Sequence, residues 1–272
     1  MSDQHRRTTF LNEMGLGPVW LQREPARVRE QIEAPVANVL AVSDVAPADG
    51  RVSAWAEPEN HQSVTTPISL DTANAGEPDI ARMDWDQLKT AVSSCTRCNL
   101  CRTRTKTVFG VGDQKARWLF IGEGPGRNED QQGLPFVGPA GKLLDNMMIA
   151  MGLKRGENTY IANIVKCRPT DVNKRDRPPE EDEANACMPY LQRQIALIQP
   201  TVIIALGKTA ALSLLKLDPS TPVSKLRGEV HRHGEIPLIV TYHPAYLLRS
   251  LKDKSKAWAD LCLAMQVHES SN

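Results

Sequence analysis

The stretch "WLFIGEGPGRNED", residues 118–130, joins an apolar run to a glycine-rich loop that is followed by acidic residues. A short apolar run that ends in glycine is typical of a buried strand. Glycines in the loop after such a strand let backbone N–H groups approach a ligand closely. The stretch therefore predicts a sheet strand with a binding loop at its carboxyl end.

The loop is a poor match to the dinucleotide-binding fingerprint. It lacks the third glycine of G-x-G-x-x-G at the required spacing, and Pro125 interrupts it. We therefore do not expect a nicotinamide cofactor. Three acids, Glu123, Glu129 and Asp130, crowd around the glycines instead. A lone acid is usually a solvated surface residue, but three acids at a strand end favour a functional site.

Strands and helices alternate on both sides of this stretch. Further apolar runs predict strands at "TYIANIVKC", "TVIIALG" and "IPLIVTYHP". Helical periodicity predicts helices at "MDWDQLKTAVSSC", "AGKLLDNMMIAMGL", "PPEEDEANACMPYLQRQIALIQ", "KTAALSLLKL" and "KSKAWADLCLAMQVH". The alternation predicts a three-layer α/β/α fold with a central, mostly parallel sheet. Ligands of such sheets bind beyond the carboxyl ends of the strands, so we expect the chemistry there.

The amino-terminal part of the chain has a different composition. Residues 26–80 are rich in Ala, Pro, Ser, Thr and acids and have little periodicity, which predicts a disordered linker. Residues 8–24 carry several apolar side chains and are either a short docking element for a protein partner or an unremarkable tail. We expect an extension at 1–82 and a folded domain at 83–268.

Composition sets broad limits on the protein. The chain has 272 residues, 41% hydrophobic and 24% charged, which suits a globular protein with a core. Because the net charge is only +1, any nucleic-acid surface has to be a local basic patch. No apolar run is long enough to span a bilayer, and the amino terminus lacks a signal layout. We expect a cytoplasmic monomer with no membrane partner.

Cysteines are unusually dense in one short segment. Cys95, Cys98 and Cys101 fall within "SSCTRCNLCRTRT", and the remaining three are Cys167, Cys187 and Cys262. Disulfides are rare in a reducing cytoplasm, so a clustered Cys-x-x-Cys predicts a metal or redox site.

The segment "TYHPAYLLRSLKDKSK" places a histidine at a predicted strand end. His243 is followed by two leucines that we expect to be exposed, Leu247 and Leu248, and then by Arg249. An aliphatic wedge next to cations is the composition of a loop that enters a DNA helix and binds phosphates. An amphipathic helix with a solvated basic face would have the same sequence pattern.

Taken together, these motifs resemble the iron–sulfur uracil-DNA glycosylases, the family four branch of that superfamily. The matching pieces occur in the family's order and cover most of residues 90–265: "CTRCNLCRTRTKTVFGVG", "FIGEGPGRNED", "LPFVGPAGKLLD", "NIVKCRP", "CMPYL", "ALG" and "HPAYLLR". Gly124 departs mildly from the family's usual G-E-A-P-G loop. The stretch "TDVNKRDRPPEEDEANA" is longer than usual.

The resemblance implies a [4Fe–4S] cluster, a cofactor that four thiolates can hold. It assigns the four ligands to Cys95, Cys98, Cys167 and Cys187. Cys101 is then a bystander, although a ferredoxin-like set that includes it is the rival assignment. Cys262 lies in an apolar helix and is expected in the core. Zinc is the alternative metal.

The resemblance also implies roles for the pocket residues. Phe136 would stack on a flipped base, and the Asn163 amide would read uracil. Gly124 would lie beside the base, while His243 and the acids Glu129 and Glu123 would assist bond cleavage. Leu247 or Leu248 would fill the gap in the stack, with Arg249 beside it on the DNA.

The implied function is a monofunctional DNA-repair glycosylase. Such an enzyme hydrolyses the N-glycosidic bond of flipped-out uracil in single- or double-stranded DNA and leaves an abasic site for base excision repair. The alternatives are a non-catalytic iron–sulfur protein that binds damaged DNA with the same fold and a cluster-dependent redox carrier, which "HPAYLLR" disfavours.

Overall fold

A computed structural model describes residues 79–271, and residues 1–78 of the extension predicted at 1–82 lie outside the described residues. Six strands form one mixed sheet: β1 Val111–Gly112, β2 Trp118–Gly122, β3 Thr159–Asn163, β4 Val202–Leu206, β5 Val230–His233 and β6 Ile236–Thr241. Their order in the sheet is β1-β3-β2-β4-β6-β5. The four inner strands are parallel, and the two short edge strands are antiparallel to their neighbours.

Helices fill the connections between the strands. They are α1 Trp85–Ser93, α2 Arg127–Gln132, α3 Pro139–Ala150, α4 Glu181–Ile198, α5 Lys208–Leu215, α6 Val223–Leu226, α7 Pro244–Leu247 and α8 Lys254–Ser270. Turns of 3-10 helix occur at Ile80–Arg82, Asn99–Arg102 and Leu251–Asp253. Within residues 79–271 no helix combines the length and apolar character needed to cross a bilayer.

Each face of the sheet packs on its own helix layer. On β2, Leu119 and Ile121 face one core, which α1, α4 and α5 complete. Trp118 and Phe120 face the other, which α3 and α8 complete. Successive strand residues point to opposite faces, so a strand that is apolar throughout needs helices on both sides. The predicted three-layer α/β/α fold is confirmed.

The helix starts follow from local sequence. In α1 the Asp84 carboxylate accepts from the Gln87 N–H at 2.9 Å, and the Gln87 side chain accepts from the Asp84 N–H at 3.0 Å. This reciprocal capping box satisfies two N–H groups that the helix itself cannot pair. A second box, between Glu180 and Glu183, begins α4 after two prolines. The "PPEED" pattern therefore starts a helix as predicted.

The described residues just before the predicted boundary at residue 83 pack against the domain. Ile80 packs against the core, and Arg193 Nε of α4 donates to the Met83 carbonyl at 2.6 Å. Only 7% of Met83 is exposed. Residues 80–83 therefore form part of the domain's packing.

A truncation series should locate this boundary. We expect a fragment of residues 79–271 to keep the fold, whereas a fragment of residues 84–271 should lose about 2 kcal/mol of unfolding free energy. It gives up the burial of Met83 and the carbonyl that Arg193 binds. Urea denaturation followed by circular dichroism measures the difference. Equal stability of the two fragments would contradict a contribution of residues 79–83 to the fold.

Candidate active site and cysteine pocket

The carboxyl ends of β2, β3 and β6 meet at one pocket. Gly122 ends β2 and pairs with Asn163, which ends β3. His243 follows β6 by two residues, and it lines the pocket together with Glu123, Gly124, Glu129, Phe136 and Asn163. The sequence-predicted catalytic and base-binding residues are therefore gathered in one place. In the sheet, β3 lies on one side of β2, and the next strand in the chain, β4, lies on the other. Such a reversal of strand order is a topological switch point, where α/β sheets bind ligands.

Asn163 carries an unsatisfied acceptor in this pocket. Its side chain is buried, and Oδ1 accepts no hydrogen bond from any of the described residues. Buried polar atoms are nearly always paired, because an unpaired one costs about 1–3 kcal/mol. An orphaned acceptor that faces a pocket indicates that a ligand's donor completes it.

Phe136 forms the aromatic wall and lies close to Asn163. A Cβ on Gly122 would lie 2.5 Å from Asn163 Oδ1 and 2.6 Å from Phe136 Cζ. Only glycine at this position allows both side chains to approach the strand end. The Phe136 ring is stacked near the His243 ring, with centroids 5.6 Å apart and planes inclined by 29°.

The backbone of Phe136 is held by two side chains. Its φ of 54° is unusual for a residue other than glycine, and surrounding contacts have to maintain it. Arg155 Nη2 donates to the Phe136 carbonyl at 3.1 Å, and its Nε donates to Asp145 Oδ1 at 2.6 Å. The N–H groups of Val137 and Gly138 donate to Glu129 Oε1 at 3.0 and 3.1 Å. Arg155 was missed in the sequence, since nothing in "GLKRGEN" indicates this contact.

The three acids of the glycine loop have different contacts. Glu129 lines the pocket but uses Oε1 to hold the Phe136 loop. Glu123 also lines the pocket, and its Oε2 accepts from the Thr209 hydroxyl at the start of α5. Asp130 is buried elsewhere, where Oδ1 accepts from the Thr105 N–H at 2.8 Å. Asp130 therefore ties the cysteine segment to α2, the helix that carries Glu129.

His243 is held as a neutral imidazole. Its Nδ1 accepts from the Ala245 N–H at 3.1 Å, which leaves Nε2–H as the ring's remaining donor. Desolvation by burial, with the Arg249 charge as a smaller cause, lowers the pKa of His243 to about 4, although Glu129 opposes the shift. A Cβ on Gly207 would lie 2.9 Å from His243 Cβ, so glycine allows the loop after β4 to approach.

We predicted that Leu247 and Leu248 are both exposed, and this is wrong for Leu247. Leu247 is fully buried and packs in the core between α3 and α8, whereas 43% of Leu248 is exposed. Both lie at the end of the short helix α7, where successive residues point in different directions, so only one can face the core. Leu248 and the exposed Arg249 remain available at this surface.

Five cysteines line a second pocket, on the side of the sheet packed by α1 and α4. They include all four predicted ligands and also Cys101: Cys95, Cys98, Cys101, Cys167 and Cys187. Cys262 lies apart on α8 and packs against the other core. In residues 79–271 no three His, Cys, Asp or Glu side chains are arranged as the ligands of one metal ion.

The chemistry of these thiols fits a metal cluster. Burial raises the pKa of Cys98 and Cys167, and it raises that of Cys187 to about 12. A thiolate here therefore needs neighbouring positive charge, which a metal supplies directly. Two donors already face the sulfurs: Arg104 Nη1 lies 3.2 Å from Cys167 Sγ, and the Lys166 N–H lies 3.3 Å from Cys187 Sγ.

Buried polar contacts connect the two pockets. Lys166 is 1% exposed, and its Nζ donates to the Asn163 carbonyl at 2.9 Å and to Gln194 Oε1 at 2.6 Å. Lys166 immediately precedes Cys167, so the strand end that carries Asn163 is held from the cysteine side. This contact also lay beyond sequence reasoning, because a lysine in "NIVKC" would ordinarily be placed at the surface.

Comparisons with known proteins agree with this architecture. Residues 109–262 match the family model described as the uracil DNA glycosylase superfamily. The type-4 uracil-DNA glycosylase of Archaeoglobus fulgidus is 46% identical over 169 residues, which cover 60% of this chain and 82% of that protein. The type-4 enzyme of Thermotoga maritima is 44% identical over 160 residues, or 58% and 80%.

A third relative is matched over almost all of its length. The type-4 uracil-DNA glycosylase of Pyrobaculum aerophilum is 35% identical over 187 residues, which cover 66% of this chain and 93% of that protein. The type-5 enzyme of the same organism is 27% identical over 150 residues, covering 50% and 64%. From the matched domain and these relatives, the chain belongs to the uracil DNA glycosylase superfamily and, within it, to the type-4 branch.

Proposed function

We propose that the protein removes uracil from DNA by hydrolysing its N-glycosidic bond, which leaves an abasic site and starts base excision repair. The observation that carries the proposal is the orphaned Oδ1 of buried Asn163 beside Phe136 and His243. Uracil presents a donor at N3 and an acceptor at O4, and an amide offers the complement of both. Cytosine has an acceptor at N3 and a donor at N4, so the same amide orientation rejects it.

A base has to leave the DNA stack to reach such a pocket. The flipped uracil would lie against Phe136, with its N3–H donating to Asn163 Oδ1. The exposed Leu248 would fill the gap left in the duplex, and Arg249 would bind a neighbouring phosphate.

Bond cleavage leaves negative charge on the departing uracil. His243 would donate Nε2–H to uracil O2 and stabilise that charge as it develops. One acid would stabilise the positive sugar or orient water; we assign this to Glu129, through the Oε2 that the Phe136 loop does not use, and Glu123 would shape the pocket beside Gly124.

The cysteine pocket would hold a [4Fe–4S] cluster through Cys95, Cys98, Cys167 and Cys187. The cluster would act as a structural tie between the segment after α1, the end of β3 and the middle of α4. Arg104 and the Lys166 N–H would direct their hydrogen bonds to its sulfur ligands.

The direct test is incubation with an oligonucleotide that contains one uracil, followed by alkali, which cleaves abasic sites. Cleavage at the uracil position is expected, on single-stranded and duplex DNA. A protein that binds this DNA without generating alkali-sensitive sites would instead be the non-catalytic binding protein.

The pH dependence of excision tests the state of His243. Because its pKa in the folded protein is about 4, kcat/KM should show no inflection near pH 6.5, the ordinary range of histidine. Between pH 6.5 and 4 the unfolded chain binds a proton at His243 that the folded chain does not, so the free energy of unfolding should fall as pH drops through this window. A pH–rate profile of uracil excision checks that kcat/KM has no inflection near pH 6.5. An inflection near pH 6.5 that disappears in His243→Gln would contradict it.

A further inference from the structure

One surface loop beside the pocket has no role in the chemistry above. The 168–177 loop begins after Cys167 and ends before the two prolines that precede α4. Pro169, Asp176 and Arg177 line the active-site pocket together with His243 and Ala245. The loop therefore forms one wall of the pocket mouth, while the segment that leads to Leu248 forms another.

The loop is held in one shape by its own hydrogen bonds. Asp171 Oδ1 accepts from the N–H groups of Asn173 and Arg175, each at 2.8 Å. Arg168 Nε donates to Asp176 Oδ1 at 2.6 Å, and Arg177 Nε donates to the Thr170 carbonyl at 3.0 Å. A preordered loop loses little conformational entropy when it binds a partner.

The tip of the loop presents an apolar side chain to solvent. Val172 is 99% exposed, the most exposed of the large hydrophobic residues in the described part of the chain. Two exposed cations follow it, Lys174 and Arg175, and no carboxylate of residues 79–271 forms an ion pair with either. Arg168 and Arg177, by contrast, are paired with Asp176 and Glu183.

We infer that the 168–177 loop is a second DNA-contact element, which binds the strand next to the flipped nucleotide. Lys174 and Arg175 bind backbone phosphates, and Val172 packs against a sugar or base of that strand. The inference rests on the proposed function, because it takes the pocket's substrate to be a nucleotide in DNA. Charge complementarity and the loop's place at the pocket mouth favour DNA over other partners.

Salt dependence of binding tests the two cations. The full-length protein is titrated onto a duplex with one abasic-site analogue, which cannot be processed, at several salt concentrations. Each cation that binds a phosphate contributes about 0.9 to the slope of log K against log salt. Lys174→Gln and Arg175→Gln should therefore each reduce the slope by roughly 0.9. Lys115→Gln is the matched control, since Lys115 is exposed and precedes the amino-terminal end of β2, whereas the pocket lies at the carboxyl ends of the strands.

Kinetics tests the valine separately. Val172→Ser should raise KM by about threefold to tenfold at unchanged kcat, because Val172 touches DNA but not the reacting atoms. It should leave the salt slope unchanged. All three loop side chains are exposed, so none of these substitutions should affect folding.

The outcomes separate this inference from the proposed function. If the wild-type protein excises uracil and the loop variants behave like Lys115→Gln, the inference is overturned while the proposed function stands. If the wild-type protein neither excises uracil nor binds the duplex, the proposed function is contradicted, and the inference, which requires DNA as the partner, is contradicted with it. A loss of binding by loop variants that is independent of salt would also overturn the assignment of phosphate contacts.

Discussion

Replacing Asn163 by aspartate should lower kcat/KM for uracil excision by roughly 10²–10⁴, because a site built to pair with particular polar groups strongly rejects a ligand that leaves one unpaired. The carboxylate keeps an acceptor for uracil N3–H but loses the donor for O4 and repels it. It can accept from cytosine N4, so some cytosine excision is the second expected result. Rates on both bases, in single-stranded and duplex form, measure the change.

A matched substitution controls for the added charge. Asn158→Asp makes the same exchange just before β3, where Oδ1 accepts from the Arg117 N–H at 2.8 Å, a contact that a carboxylate preserves. It should excise uracil as the wild-type protein does. Binding to an abasic-site duplex should survive in Asn163→Asp, since that ligand has no base to read. Wild-type uracil activity in Asn163→Asp would mean that the amide is structural.

Exchanging Cys167 or Cys187 for alanine should remove the iron and most of the folded protein. These two thiols are buried, one shortly after β3 and the other on α4, and Cys95 and Cys98 lie in the segment after α1, so the proposed cluster would connect the three. A structural metal site contributes folding free energy directly, so losing one ligand should cost much of a domain stability of about 5–15 kcal/mol. Iron analysis, visible absorbance and circular dichroism on anaerobically prepared protein measure the effect.

Cys262→Ala is the control, because Cys262 lies away from the cysteine pocket. This variant should keep iron at about four atoms per chain. Cys101→Ala decides between the two ligand sets. Full iron content in this variant supports the assignment to Cys95, Cys98, Cys167 and Cys187. Loss of the cluster in Cys101→Ala, with retention in Cys187→Ala, would favour the ferredoxin-like set. Stoichiometric zinc without iron in the wild-type protein would contradict the cluster.

The inner strands were predictable because each is a continuous apolar run between turn residues. The edge strands were not. Val111–Gly112 is only two residues long, and Val230–His233 reads "VHRH", with no buried face to create a pattern. Edge pairing of this kind depends on the neighbouring strand and leaves little trace in local sequence.

The pocket residues were found from strand ends and family motifs, which fix where side chains gather. Finer placement depended on tertiary contacts. The sequence "HPAYLLR" does not tell which leucine faces the core, and packing of α7 against α3 decides it. Arg155 donates to the carbonyl of Phe136, which is distant in sequence, and Lys166 donates to the buried carbonyl of Asn163. No local sequence pattern predicts either contact.

The measurement that tests the central claim most directly is chromatographic detection of the released base. Iron-replete wild-type protein is incubated with oligonucleotides that are identical except for one position, which carries uracil, cytosine or thymine. The account predicts release of free uracil over many turnovers, with one alkali-sensitive site for each uracil released, and no release of cytosine or thymine. Absence of free uracil from a protein that carries its cluster and binds the oligonucleotide would contradict it.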